Sequence, residues 1–202
     1  MLEPLLQLLS PTEYLDFEAR SDIKHEYIDG ELYAMAGSSD DHAAIISNAV
    51  MAIGPHLRRS GCRLYPQDVK AQITRRNRYY YPDLMVTCDD RDRLDRYVKR
   101  HYKMIIEVLS DSTEQFDRGS KFEDYRRSAS LEEYVLISQD RMNVEVYRRN
   151  AADRWELQAY HQGDRVELVS IGLEFAIADL YEDVTLPPEE LDIEGIEEEE
   201  IE

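Results

Sequence analysis

Two hydrophobic periodicities run along this chain, separated by polar punctuation. Ser10-Pro11-Thr12-Glu13 reads as a capping box with proline in the first turn and predicts a short helix through about Ala19. His25–Ile28 and Leu32–Ala36 flank Asp29-Gly30, a strong signal for a two-residue hairpin turn. A second helix opens at Ser38 or Ser39. Ile45, Ile46, Ala49, Ala52, Ile53 and Leu57 continue it at helical spacing, and Gly61 is its stop. Strand-like stretches follow at Arg63–Tyr65, Val69–Thr74 and Tyr79–Thr87, with a turn at Arg75-Arg76-Asn77 and Pro82 interrupting the third. Asp89–His101 is a charged loop or short helix. Tyr102–Leu109 is nearly all apolar, the pattern of a strand covered on both faces. A helix from about Glu114 to Ser128 precedes strands at Leu131–Ser138, Val144–Arg148, Trp155–Tyr160 and Val166–Val169. The order α-ββ-α-βββ-α-ββββ predicts an α/β fold with helices packed on a mixed sheet.

Composition narrows the class. The 202 residues, 43% hydrophobic and 33% charged, fit a globular chain that buries one core. No run approaches the roughly 18 apolar residues of a membrane span, and the start, MLEPLLQLLSPTEY, lacks the basic region of a secretory leader. Cys62 and Cys88 have no metal-ligand spacing, and a disulfide framework is not expected from two cysteines. These features together predict a cytoplasmic, reducing location. The net charge of −19 is unevenly spread: residues 1–57 carry a net −8, residues 58–154 a net +4, and residues 155–202 a net −15. The mildly basic middle is therefore where chemistry is sought. Pro187-Pro188 closes the folded part, so residues 1–186 read as one domain and 187–202 as an acidic, disordered tail.

Glu107, in KMIIEVLS, is the most informative residue. A carboxylate within a strand buried on both faces is costly unless it is paired or binds metal. The competing reading ends the strand early and leaves Glu107 at a wet edge. Asp83 follows Pro82, and a bulge at a strand proline re-aims the next side chain. An ordinary strand entry explains the same dipeptide. Asp117, Lys121 and Tyr125 recur every four residues on the following helix, so they share one face. A plain salt bridge on a wet face is the bland alternative. Together these parts suit metal-assisted phosphodiester hydrolysis. Asp83, Glu107 and the Val108 carbonyl would offer oxygen ligands to Mg²⁺ or Mn²⁺, and Lys121 would orient the attacking water or neutralise the transition state.

HEYIDGELYAMAG, DVKAQI, YYYPDLMVTCD, IIEVLSDST, FDRGSKFEDYR and SLEEYVLISQD, in this order, resemble the Uma-two family of restriction-endonuclease-like proteins within the PD-(D/E)XK nuclease superfamily. The resemblance covers about residues 10–182. It implies a restriction-endonuclease-like core with a mixed central sheet and flanking helices, preceded by an N-terminal helix and hairpin. It also implies a divalent-metal site in which Asp83 and Glu107 match the acidic positions. The superfamily pattern places a lysine two residues after the glutamate. Leu109 stands there, and Lys121 matches the position to which this family moves it. Glu26 matches a further acidic position that could complete the site, with Glu31 as the competing choice. Asp117 and Tyr125 match recurrent positions of unassigned role. His42 also matches, but a lone histidine near a helix start reads first as a cap or polar contact.

The expected activity is a metal-dependent DNA endonuclease acting as a homodimer. The alternative is a catalytically inactive nuclease fold that binds nucleic acid or protein. A third possibility is a structural oligomer in which Glu107 and Lys121 form only a core salt bridge. Arg75, Arg76 and Arg78, and the run Arg91, Arg93, Arg96, Lys99, Arg100 and His101, are the cations to test for DNA contact. Interleaved aspartates favour a solvated loop for the second group.

Overall fold

The computed structural model describes residues 8–73 and 76–187. Thr74, Arg75 and all of the acidic tail except Pro187 lie outside the described residues.

α1 (Pro11–Glu18) starts as its sequence predicts, with Ser10 and Glu13 closing a reciprocal capping box. β1 (His25–Ile28) and β2 (Glu31–Ala34) form the hairpin. Asp29 and Gly30 both take positive φ, 51° and 110°, as this turn requires. A Cβ on Gly30 would also meet the Leu8 side chain at 3.0 Å. α2 (Asp40–Leu57) is capped by Ser39, whose side chain accepts from the His42 amide.

β3 (Arg63–Pro66), β4 (Lys70–Ile73), β5 (Arg78–Tyr80) and β6 (Leu84–Thr87) follow. Tyr79–Thr87 is therefore two strands and not one bulged strand. Tyr81-Pro82-Asp83 carries the chain from one sheet into another, and proline, having no N–H to give a ladder, stands at the break. The charged segment Asp89–His101 contains one 3₁₀ turn, Asp90–Arg93, and the two-residue β7 (Val98–Lys99). β8 (Tyr102–Leu109) has the bounds its apolar run implies.

The helix expected from Glu114 to Ser128 is real but not regular. α3 (Glu114–Phe116) widens into a π-turn, Asp117–Lys121, before resuming as α4 (Phe122–Tyr125). β9 (Glu133–Ser138), β10 (Asn143–Arg149), β11 (Trp155–His161) and β12 (Arg165–Leu168) match the expected strands, and β13 (Leu173–Ala176) is an addition. Only four residues long and half exposed, β13 carries little apolar signal.

The strands form a six-stranded sheet, β11-β10-β9-β8-β6-β3, a five-stranded sheet, β2-β1-β5-β4-β7, and the pair β12-β13. The six-stranded sheet is mixed: β8 and β9 run parallel and its other neighbours antiparallel. Successive residues of β8 face opposite sides. Met104, Ile106 and Val108 pack with Ile45, Ala49 and Ile53 of α2. Ile105 and Leu109 pack with Phe122, Tyr125 and Tyr134 on the other face. Glu107 shares the parity of Ile105 and Leu109 and so opens beneath the π-turn.

Cys62 and Cys88 form a disulfide, which corrects the expectation of free thiols. The reason is register. β3 and β6 pair with Arg63 opposite Thr87, so the next residues outward face each other with Cα atoms 4.0 Å apart. A separation of 26 residues gives no hint of that pairing. The cysteines therefore no longer argue for a reducing compartment. No described helix is long and apolar enough to cross a membrane.

Candidate active site

Four segments meet under the π-turn. β1 contributes Glu26, the β5–β6 junction Asp83, β8 Glu107 with Val108, and the π-turn Asp117 with Lys121. The Lys121 ammonium lies 3.0 Å from Glu107 Oε1, 3.2 Å from Asp117 Oδ1 and 3.4 Å from Glu26 Oε1. The side chains of Lys121 and Glu107 are only 8% and 3% exposed. This is not the solvated salt bridge that i, i+4 spacing alone would suggest.

Asp83 and Glu107 brace each other through the backbone. β6 and β8 pair antiparallel with Leu84 opposite Ile106, which sets Asp83 beside Glu107. The Asp83 amide donates to Glu107 Oε2 at 3.3 Å, and the Val108 amide donates to Asp83 Oδ2 at 2.8 Å. The Tyr81 amide donates to Glu26 Oε1 at 3.2 Å. Glu31 instead accepts from its neighbour Tyr33 on the surface, so Glu26 is the hairpin carboxylate that reaches the cluster.

His42 contributes more than a cap. Its Nε2 sits 3.1 Å from the Val108 carbonyl oxygen and 3.3 Å from Asp83 Oδ2, touching two of the expected oxygen ligands at once. Its Nδ1 is buried without a partner. Burial works against the imidazolium, but Asp83 and the Val108 carbonyl outweigh it and raise the His42 pKa.

The electrostatics reflect crowding of like charge in a dry place. Burial pushes the Glu107 carboxyl well above its ordinary range; Lys121 opposes this, and Asp117, Asp83 and Glu26 add to it. Glu26 is raised for the same first reason. Burial alone would lower the Lys121 ammonium, yet Glu107, Glu26 and Asp117 hold it well above the usual lysine value. Glu107 Oε1 and Asp117 Oδ1 are buried with no aligned hydrogen bond. Among the described residues, no three His, Cys, Asp or Glu side chains form a metal cage by themselves.

The π-turn gives this cluster its geometry. It widens the helix at Asp117–Lys121, and Tyr134 Oη donates to the Asp117 carbonyl at 2.9 Å, holding the widened turn to β9. π-turns inside α-helices concentrate at functional sites. Gly119, at its centre, is one local signal available in the sequence. Tyr125 lies in the same core, its hydroxyl buried and unpartnered, and burial raises its pKa.

The fold and sequence have relatives. A crystal structure described as "a putative nuclease belonging to DUF820" from Anabaena variabilis superposes with a TM-score of 0.72 at 20% identity, covering 86% of this chain and 98% of that one. This likeness shows the fold. An uncharacterized Synechocystis protein, slr1290, is 40% identical over 173 residues, 86% of this chain and 91% of the relative. A second, sll1609, is 30% identical over 159 residues, 78% of this chain and 90% of the relative. Residues 11–179 match the Uma2 family, described as "Putative restriction endonuclease". The chain belongs to the Uma2 family, on a restriction-endonuclease-like fold.

Proposed function

We propose that this protein is a divalent-metal-dependent endonuclease that hydrolyses phosphodiester bonds in DNA, with Mg²⁺ or Mn²⁺ as its ion. The supporting observation is the meeting of Asp83, Glu107 and Lys121, from three separate segments, at one dry spot.

The residues fit such an ion. Three carboxylates surround one ammonium, two of their oxygens lack an aligned hydrogen bond, and Asp83 stands beside Glu107. Hard oxygen donors are what Mg²⁺ takes, usually with waters completing the shell. Asp83, Glu107 and the Val108 carbonyl would hold the ion. Bound there, it would stabilise charge building on phosphate and lower the pKa of water. The chain does the rest. Lys121 would orient the attacking water or offset the negative charge that develops in the transition state. Asp117 and Glu26 fix that ammonium in place. The Asp83 and Val108 amides lock the two acidic side chains in position, and His42 holds Asp83 from the other side. Two-fold pairing of chains would present one site to each DNA strand. The DNA substrate, and no longer the cysteines, is the ground for a cytoplasmic location.

Plasmid cleavage with and without added metal is the test. Cleavage should require Mg²⁺ or Mn²⁺ and vanish in Asp83→Asn, Glu107→Gln and Lys121→Met. Calorimetry should show metal binding that Asp83→Asn removes. One observation favours the second reading, an inactive binding module: Lys121 is already held by three carboxylates. Metal binding by a folded protein that cuts no nucleic acid would establish that reading instead.

A further inference from the structure

A second charged cluster lies on the same face of the six-stranded sheet as Glu107, and the chemistry above does not use it. Along β10, Val144 and Val146 face the α2 core while Tyr147 packs toward the π-turn side, and Arg149 shares its parity. Arg76, Arg126, Arg127 and Arg149 line a cleft of about 360 Å³ together with Asp153, and Trp155 continues its wall.

The cleft gathers more guanidinium than it neutralises. Arg149 Nη2 donates to the carbonyls of Arg126 and Ser128, both at 2.7 Å, and its guanidinium lies 4.9 Å from the Trp155 ring centroid. Its Nε is buried without a partner, and the Asp153 it meets at 3.2 Å is mostly in solvent. Arg126 has no carboxylate at ion-pair distance among the described residues; it lies over the Phe122 ring. Arg127 pairs with Glu123 at 2.6 Å, and Arg76 reaches Asp124 and that same Glu123 only at 3.6 and 3.8 Å. Of the described cations singled out by sequence, only Arg76 lines this cleft, and most of those in the Asp89–His101 loop are answered locally. Arg91, Arg93 and Arg100 pair with Asp89, Asp90 and Asp95, and Lys99 is buried against backbone carbonyls.

We propose that this cleft binds phosphate groups of a DNA strand and so seats the substrate beside the acidic site. The substrate class rests on the nuclease reading; the site itself rests on the cleft. Guanidinium forks match phosphate oxygens bidentately. The placement is suitable. The Arg149 amide bonds to Glu132, at the start of β9, whereas Glu107 pairs with Leu136 two strands away from β10. Strand rise and spacing put the cleft roughly 15 Å from Glu107. That is about four nucleotides of rise along one strand.

The test is binding without metal. Anisotropy of a short labelled DNA duplex is followed across a salt series, in chelator, with the full chain. Wild type should bind with a steep log–log salt slope. Arg126→Ala/Arg127→Ala should flatten that slope by about two and weaken binding about tenfold or more at low salt. Arg126→Lys/Arg127→Lys should restore the slope, which a merely structural role would not explain. Arg141→Ala/Arg165→Ala, exposed and outside the cleft, should leave it unchanged. Three results would overturn the proposal: equal slopes for wild type and a folded Arg126→Ala/Arg127→Ala, no duplex binding by wild type, or capture of inorganic phosphate that duplex does not displace. Metal-dependent cleavage, measured in parallel, separates the two ideas. Cleavage with an unchanged slope removes the cleft alone, and a cleft-dependent slope without cleavage removes the nuclease reading alone.

Discussion

Glu107 and Glu133 occupy neighbouring strands of one sheet, both almost without solvent contact, and the fold treats them oppositely. Glu133 opens toward the α2 side and is fully answered. Its Oε1 accepts from Arg148 Nε at 2.8 Å and from the Val169 amide at 3.0 Å, and its Oε2 accepts from the Ser170 amide at 3.0 Å. Glu107 opens toward the π-turn. It has one long amide bond from Asp83 and a share in an ammonium that also serves Glu26 and Asp117. A buried charge with complete hydrogen bonding ties structure together. One left short of donors among like charges is kept at a cost to stability, and such groups concentrate at functional sites. Burial alone, which is all that an apolar strand sequence conveys, does not separate the two.

The sharpest way to break this comparison is to remove one charge at a time and read activity. Glu107→Gln should lower metal-dependent cleavage by about 10³-fold or more, equivalent to about 4 kcal/mol of transition-state stabilisation. Glu133→Gln, assayed below its own melting transition, should cleave at close to the wild-type rate. Equal losses in both would erase the distinction. Stability should show the mirror image. Urea unfolding of Glu133→Ala should reveal a loss of about 3–5 kcal/mol, because Arg148 is left without its partner in a largely buried site. Metal-free Glu107→Gln should be as stable as wild type or more so, since it removes a carboxylate from a cluster of four.

A smaller effect tests whether Lys121 is held mainly by Glu107. Lys121→Met leaves three carboxylates crowded without their cation and should destabilise the metal-free protein. Adding Glu107→Gln should recover part of that loss, with a coupling energy of about 1–3 kcal/mol in a double-mutant cycle. Additive losses would mean that Asp117 and Glu26 hold the ammonium without help from the sheet glutamate.

Much of this arrangement is legible in the sequence, and the illegible parts share a cause. β8 and the Asp29-Gly30 hairpin follow from local pattern and turn chemistry, and so do the α1 and α2 caps. Glu107 stands out because a charge interrupts an apolar run. The partners of that charge are set by strand pairing. The antiparallel β6–β8 register brings Asp83 to Glu107, and the β3–β6 register joins Cys62 to Cys88. Sequence spacing carries neither fact. The π-turn leaves only a faint mark in the sequence, the six-residue step from Phe116 to Phe122 where α spacing would be three, four or seven, and three residues are too few to expose it. Pro82 signals an interruption in Tyr79–Thr87 but not its division between two sheets, since a proline alone does not say where the chain goes next. The Arg126-Arg127 pair and Arg149 carry no joint signal in the sequence because they lie far apart along the chain and gather only when β10 folds beside the end of the helix.

Lys70 extends the comparison from acids to bases and carries the smallest expected effect. Like Lys121 it is mostly buried, but among the described residues no carboxylate lies at ion-pair distance; its ammonium sits 5.0 Å from the Tyr81 ring centroid. Burial lowers its pKa below the ordinary lysine value of 10.5, with Glu18 and Asp95 pulling only partly the other way. Between its depressed folded value and 10.5, the unfolded chain binds more protons, so this group makes stability rise with pH across that window. Lys121, held above 10.5, acts in the opposite sense: its contribution is complete below 10.5 and fades only as pH passes its own higher value. Lys70→Met should therefore raise the urea midpoint at pH 7, by less than about 1 kcal/mol in stability, and flatten the alkaline rise. A lower midpoint at pH 7 would show that the Tyr81 ring face, at cation–π distance, compensates the Lys70 charge as fully as carboxylates compensate Lys121.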